Sequence, residues 1–313
     1  MEKEPKKEEE MPKSGAMADL RYSLHLMRKN KLVLAGTVLA VGSILVALLA
    51  HVIVPSSATV DNRAIRLCWN NPLINWNIPS INVCPQSEPI GTDAYGRNLL
   101  QMIILAVPLD LSIALEIVAS ALAIGIVLGS IAGYAGGILD EAILRITDIF
   151  FAVPGILLAI VLMTVLGRTI VNLTLAVLIT WWPLYVRLTR SQILSEKERP
   201  YVEALRAMGA SRPRILFRHI VPNSIYPLIV QATLDIGSVI LTVSTLVFLG
   251  FAPSSIATGQ TSELGNLTSQ GAQYIFSAPW LIIFPGLTIL IISLGFNLLG
   301  DGLRDVFDPR LRR

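Results

Sequence analysis

The sequence is poor in the residues from which most catalytic and metal-binding sites are built. It contains 2 cysteines and 3 histidines among 313 residues, and the histidines are scattered along the chain. It has no GxxxxGK[ST] phosphate-binding loop, no HExxH pair and no GxSxG nucleophile turn. We therefore expect no catalytic site, no metal site and no cofactor in this chain, which should not hydrolyse ATP itself.

Charged residues are also scarce. Asp, Glu, Lys and Arg make up 15% of the chain, hydrophobic residues make up 53%, and the mean hydropathy is +0.63. This composition excludes an ordinary soluble domain. Basic residues cluster in short stretches beside apolar runs, which gives nucleic-acid binding no support. Apolar runs of about twenty residues recur, the length that crosses a bilayer core of roughly 30 Å, so we predict an all-α polytopic protein embedded in membrane lipid.

Six apolar runs predict six transmembrane helices in the cell membrane, with both termini in the cytoplasm. Lys and Arg are concentrated in the N-terminal tail, the connection between the fourth and fifth spans, and the C-terminus, whereas the other loops carry few. The predicted divisions are a disordered cytoplasmic tail (1–30), a first span (31–54), a small extracytoplasmic segment (55–108), a core of five spans (109–303) containing a cytoplasmic loop (196–222), and a cytoplasmic C-terminal tail (304–313).

Within the predicted core, the third span is expected at residues 149–166, after a short charged turn at 140–148. Pro154 should kink this span or set the angle at which it begins. The polar segment before the core contains Cys68 and Cys84. A disulfide between them is plausible if the segment faces outside, and two free thiols are the alternative.

A basic loop at residues 201–222 interrupts the apolar sequence. Its apolar residues recur at helical spacing up to Gly209, which can end a helix because glycine accepts the left-handed conformation. Ser211 can cap a second short helix, with Pro213 in its first turn. The loop therefore reads as a helical hairpin. Its positive charge comes from Arg206, Arg212, Arg214 and Arg218.

Several stretches of this chain resemble one family. The hairpin has Glu203-Ala204, then Gly209, then Val221-Pro222, and resembles the EAA loop of ABC-importer permeases. Residues 88 to the end resemble the dipeptide/oligopeptide branch of that family. The further matches are GTDAYGRN at 91–98, FRHIVPN at 217–223 and FNLLGDGLRDVFDPR at 296–310.

The resemblance implies that the hairpin is a coupling helix, docked in a groove of an ATPase subunit. The residues that it assigns to coupling are Glu203, Ala204, Arg206, Gly209, Ala210, Arg212, Arg214, Arg218 and Pro222. Two plainer interpretations stay open. The loop could serve only to fix membrane topology, and Glu203 could form a surface pair with Arg206, three residues along the same helix.

The resemblance also implies a set of partners. They are a homologous second permease subunit, two ATPase subunits that hold ATP and Mg, and an extracytoplasmic substrate-binding protein. The expected cargo is a dipeptide or oligopeptide, with oligosaccharides or nickel as the alternative. A membrane-embedded enzyme would need convergent catalytic groups, and only isolated acids are found. A passive channel would not need a coupling hairpin.

Two acids fall inside predicted spans, Glu116 in the second and Asp235 in the fifth. A charge in lipid is costly, so each should face protein or water. They are candidates for the translocation path, and hydrogen bonding to a neighbouring helix is the alternative. In the 91–98 stretch, two glycines allow tight turns across which Asp93 and Arg97 could pair.

Overall fold

Helices make up most of the computed structural model, which describes residues 31–54, 68–69, 90–257 and 262–307. An isolated bridge joins Thr92 and Asn98, and the described residues form no β-strand. The all-α prediction is confirmed. The helices are α1 (Lys31–Ile53), α2 (Leu99–Ala135), α3 (Gly137–Phe151), α4 (Gly155–Leu166), α5 (Ile170–Lys197), α6 (Pro200–Ala207), α7 (Arg212–Ile215), α8 (Val221–Leu246), α9 (Ser254–Ala257), α10 (Leu264–Ala272) and α11 (Trp280–Phe307).

Five helices of the described chain are long and apolar enough to cross a membrane, and the count becomes six if the bent pair α3–α4 is one span. The polytopic prediction is confirmed. The predicted terminal tails (1–30 and most of 304–313) and most of the predicted extracytoplasmic segment lie outside the described residues. The predicted orientation of the termini stays a prediction.

The helix α2 lies at the centre of the bundle and packs along α5, with α1 and α8 on other sides. Glycines at one-turn intervals allow the close approach. A Cβ atom on Gly125 would lie 2.2 Å from the Cβ of Tyr185, and one on Gly129 would lie 2.6 Å from that of Thr189. Small residues at such positions are how membrane helices pack, because lipid gives them little hydrophobic drive to associate.

The helix α2 begins at Leu99, earlier than the predicted core boundary at 108/109. The reason is a cap, because the Asn98 side chain accepts a hydrogen bond from the Gln101 N–H at 3.0 Å. Pro108, the last residue of the predicted extracytoplasmic segment, lies inside the helix. Membrane helices tolerate interior proline where neighbouring groups satisfy the freed backbone.

The predicted third span at 149–166 is broken just before Pro154, the residue at which the sequence predicted a kink or a fixed entry angle. The helices α3 and α4 meet at a bend of 84°, with Pro154 immediately before α4 in an extended conformation. Proline lacks a donor N–H and disfavours helix in the residue before it, so the chain breaks here. The predicted charged turn at 140–148 is helical, part of α3, and Asp140 accepts a hydrogen bond from Arg190 of α5 at 2.6 Å.

Candidate functional site

The basic loop folds as the predicted hairpin. The helix α6 starts with Pro200 in its first turn, and the chain then turns at Gly209, whose φ is +79°. The Gly209 N–H donates to the Arg206 carbonyl at 3.0 Å, and the Ala210 N–H donates to the Leu205 carbonyl at 3.1 Å. These bonds satisfy the carbonyls at the end of α6, as a left-handed glycine cap does.

Ser211 occupies the predicted cap position of α7, but its hydroxyl makes no capping hydrogen bond. Its carbonyl instead accepts the Ile215 N–H at 3.0 Å. Pro213 lies in the first turn of α7 as predicted. The start of α7 is therefore stabilised by a backbone hydrogen bond and not by a side-chain cap.

The hairpin presents its charges to solvent. Glu203 and the four arginines are exposed, together with Ala204, Gly209 and Pro222, and Ala210 is half-buried. Among the described residues, neither Glu203 nor any of these arginines forms an ion pair, so the surface pair of Glu203 with Arg206 is not formed. The predicted coupling residues are thus fully or partly exposed, and we call them together the hairpin surface.

Two large apolar residues, Met208 and Phe217, belong to the same surface and were missed by the sequence analysis. Their side chains are 73% and 56% exposed. Met208 was used only as part of the helical spacing that ends at Gly209, and the structure places its side chain in the open beside that turn. Exposed apolar side chains beside charged ones are typical of protein contacts.

A small apolar cluster fixes the hairpin to the bundle. It joins Ile193 of α5, Val202 of α6 and Ile215 of α7 with residues that follow α7, and all are buried. Polar bonds support it, because the Tyr201 hydroxyl donates to the Glu196 carboxylate at 3.0 Å. The hairpin is therefore held firmly at its base.

The second arm of the hairpin is continuous with α8. Residues Leu216–Ile220 form a π-helical turn, in which the Val221 N–H donates to the Leu216 carbonyl. Pro222 follows in the first turn of α8. A proline ring clashes with the carbonyl four residues earlier in a regular helix, and the wider π turn relieves this clash. The segment Arg212–Phe251 is consequently helical from the hairpin through the bundle as far as Gly250, whose φ of +93° is not helical.

The two predicted membrane acids have different surroundings. Glu116 is exposed on α2, whereas Asp235 of α8 is 5% exposed. The Gln231 side chain donates to Asp235 Oδ1 at 3.0 Å. The Tyr185 hydroxyl and the Trp181 indole adjoin the same carboxylate from α5, without meeting hydrogen-bond geometry. The structure does not bring the two acids together, and a role of either in the translocation path stays a prediction.

A cavity of about 370 Å³ lies beside the bend between α3 and α4. Trp181 lines it and also adjoins Asp235, which places the acid close to the cavity. Hydroxyl groups from α5 and α8 interrupt an otherwise apolar wall. The cavity is lined by Phe151, Gly155, Ile156, Thr180, Trp181, Leu184, Leu241, Thr242 and Thr245.

The 91–98 stretch forms a closed turn in front of α2. Gly91 and Gly96 have φ values of +80° and +77°. Arg97 and Asp93 form the expected pair at 2.7 Å, each 5% exposed. The Thr92 hydroxyl lies 3.3 Å from the Cys68 sulfur. Cys84 lies outside the described residues, so its pairing with Cys68 stays a prediction.

Comparison with known proteins gives the family. The family model described as binding-protein-dependent transport system inner membrane component matches residues 125–313. A dipeptide transport system permease protein of Alkalihalophilus pseudofirmus is 38% identical over 298 residues, covering 95% of this chain and 92% of the relative.

Two further relatives agree. The Escherichia coli K12 dipeptide transport system permease protein is 38% identical, with 95% of each chain covered. The Bacillus subtilis oligopeptide transport system permease protein is 34% identical, covering 91% of this chain and 88% of the relative. The family match and these relatives agree with the multi-pass helical architecture. This chain therefore belongs to the family of binding-protein-dependent transport system inner membrane components.

Proposed function

We propose that this chain is a permease subunit of an ATP-driven importer of dipeptides or oligopeptides, and that it forms half of the translocation pore. A homologous permease would complete the pore, two ATPase subunits would bind ATP and Mg on the cytoplasmic side, and an extracytoplasmic binding protein would deliver the cargo. Both termini would be cytoplasmic. The chain itself would act as a conduit and would not change its cargo covalently.

The observation that carries this proposal is the hairpin surface. It combines charges that have no ion-pair partner among the described residues with exposed Met208 and Phe217, on a base held by buried apolar residues. Charged side chains that neither pair nor support packing do little for the chain's own stability. They are available to a second protein, and an ATPase groove with acidic and apolar walls would match them.

The continuity of the second arm with α8 supports a lever mechanism. A displacement of the hairpin by the ATPases would pass through the segment Arg212–Phe251 into the middle of the bundle, because no flexible loop interrupts it. That segment carries Asp235 and one wall of the 370 Å³ cavity. ATP-driven closure of the ATPases would thereby switch the pore between inward-facing and outward-facing states.

The proposed peptide cargo is supported by the names of the relatives and by the residues that line the cavity. The relatives are named for dipeptide and oligopeptide transport. A mainly apolar cavity with a few hydroxyl groups and a nearby buried acid suits short chains with varied side chains better than it suits a hydrated metal ion. Nickel would call for several His, Cys or acidic ligands, and no such group of three occurs in the described part of the chain.

Uptake into proteoliposomes tests the proposal. The full-length chain is reconstituted with its cognate permease, ATPases and binding protein, and entry of a labelled dipeptide is measured with and without ATP. We expect uptake to require ATP and to be competed by unlabelled dipeptide. Competition by an oligosaccharide or by nickel instead would assign the alternative cargo. Uptake that proceeds down a gradient without ATP would identify a channel and overturn the proposal.

A further inference from the structure

Two buried carboxylates meet at the N-terminus of α10, and neither belongs to the hairpin or to the predicted path. Asp110 of α2 is 2% exposed, and Glu263, which precedes α10, is completely buried. Asp110 Oδ2 accepts the Leu264 N–H at 3.2 Å, and Glu263 Oε2 accepts the Asn266 N–H at 2.6 Å. Both acids are thus anchored on the first N–H groups of one helix.

The two remaining carboxylate oxygens differ in their hydrogen-bond donors. Glu263 Oε1 lies 3.4 Å from the Ser244 hydroxyl of α8. Asp110 Oδ1 is buried and has no hydrogen-bond partner among the described residues. A buried charged oxygen without a donor is costly, and two adjacent carboxylates repel each other as well. The N-terminus of a helix offsets only about half an elementary charge, too little for two full negative charges.

No basic side chain of the described chain pairs with either acid. Arg97 is bound to Asp93, and Arg168 donates to the Gly250 carbonyl at 2.9 Å. Glu263 is the charge that acts on Asp110. The other described charges on the surrounding helices lie away from the two acids. Glu116 of α2 is exposed, and Asp235 of α8 is bound to Gln231. The charged residues of α11 are at its far end, Asp301, Arg304 and Asp305, and α10 has no charged residue.

We propose that Asp110 and Glu263 form a proton-binding site, in which one proton is shared by the two carboxyl groups and joins α10 to α2. A proton placed between the two carboxyl groups gives Asp110 Oδ1 the hydrogen-bond partner that it lacks, because this oxygen then takes part in a carboxyl–carboxylate hydrogen bond. It also removes one of the two negative charges. Loss of the proton would weaken the contact between α10 and α2. Because α10 belongs to the connection between α8 and α11, that connection would be held less firmly to the centre of the bundle.

A proton fits this site better than a metal ion. The described chain has no third His, Cys, Asp or Glu at the site to complete a coordination shell. Burial raises the pKa of the Glu263 carboxyl to about 7, which puts proton release within reach of ordinary conditions. Because the folded chain then holds the proton more tightly than the unfolded chain, its stability falls as pH rises from the usual glutamate value of 4.5 towards 7.

Infrared spectroscopy of the reconstituted full-length chain tests the site directly, because a protonated carboxyl has its own C=O stretching band. Spectra are recorded while the pH is raised through neutrality. In the wild type we expect one buried carboxyl band to disappear near neutral pH. In Asp110→Asn and in Glu263→Gln the transition moves down by about one pH unit or more, because the neighbouring negative charge is gone. The double variant has no such band.

The matched control is Glu116→Gln, which removes an exposed acid from the same helix as Asp110 and should leave the transition unchanged. A repeat at constant ionic strength with sodium in place of choline distinguishes a proton from a monovalent cation. The proposal is overturned if the wild type shows no transition, if the transition survives in the double variant, if either single variant leaves it in place, or if sodium displaces it.

Discussion

The hairpin surface and the turn at 91–98 are built from the same kinds of residue and use them in opposite ways. Both turn at glycines with positive φ, and both carry acidic and basic side chains close together. In the 91–98 turn, Asp93 and Arg97 are 5% exposed and bind each other at 2.7 Å. On the hairpin surface, Glu203 and the four arginines are exposed and form no ion pair with a described residue.

The difference separates charges that hold this chain together from charges that are available to another one. Each member of a buried ion pair is needed by the other, because either residue alone would be a buried charge without a counter-charge. An exposed unpaired charge contributes almost nothing to folding, so its presence needs a reason outside the chain. Substitutions in the two regions should therefore differ in how much stability they cost.

The largest effect is expected from breaking the buried pair. Asp93→Ala leaves Arg97 buried without a counter-charge, which costs about 3–5 kcal/mol of folding free energy. Thermal unfolding of the full-length chain in detergent measures it. The control is Glu141→Ala, whose partner Arg145 is largely exposed, with side-chain exposures of 68% and 75% for the pair. That change should cost less than about 1 kcal/mol. Equal losses in the two variants would contradict the distinction.

A smaller effect is expected where α10 packs against α11. In Gly271→Ala the new Cβ would lie 2.4 Å from the backbone of Leu281, which cannot move aside as a flexible side chain could. We expect a loss of about 1–3 kcal/mol in the same unfolding measurement. Gly286→Ala, inside α11 with no atom within 4 Å of the new Cβ, is the control and should be neutral or slightly stabilising. A loss as large in Gly286→Ala would show that close packing is not the cause.

The smallest effect on stability is expected on the hairpin surface. The double variant Arg212→Ala/Arg214→Ala removes two exposed charges and should change the free energy of unfolding by no more than about 0.5 kcal/mol. The measurement is again thermal unfolding, with Arg97→Ala as the matched arginine from a buried pair. If the two variants lose similar stability, the hairpin arginines support this chain's own fold and the contrast with the 91–98 turn disappears.

Local signals in the sequence predicted the local features. Gly209 has the left-handed conformation expected of it, Asp93 and Arg97 pair as their spacing allows, and the apolar runs form the helices. The start of α2 was also within reach, since Asn98 is a standard cap residue followed by an apolar run.

Long-range features had no such signal. Asp110 and Glu263 come together from distant parts of the chain, and nothing in the periodicity around either residue indicates the other. Glu116 and Asp235 were candidates because both fall in apolar runs, a criterion that cannot tell an exposed helix face from a buried one. The 84° bend between α3 and α4 likewise depends on how both helices pack, and Pro154 alone allowed a kink or a new start.

Stimulated ATP hydrolysis tests the central claim that the hairpin couples this chain to its ATPases. The complex is reconstituted with Gly209→Val, and hydrolysis is measured with and without peptide-loaded binding protein. Valine is strongly disfavoured at a φ of +79°, while the space around the new side chain is open, so the change should distort the turn and spare the bundle. Gly136→Val is the matched control, with a φ of +67° and equally open space, between α2 and α3.

We predict that Gly209→Val loses most of the stimulation of ATP hydrolysis. The increase caused by the loaded binding protein should fall to roughly a tenth of that in the wild type, and a tenfold change corresponds to about 1.4 kcal/mol. Gly136→Val should keep the stimulation. Unfolding temperatures of both variants, recorded alongside, separate a lost contact from a lost fold. If peptide-loaded binding protein stimulates ATP hydrolysis by the assembled Gly209→Val complex as strongly as by the wild type, the hairpin is not the coupling element.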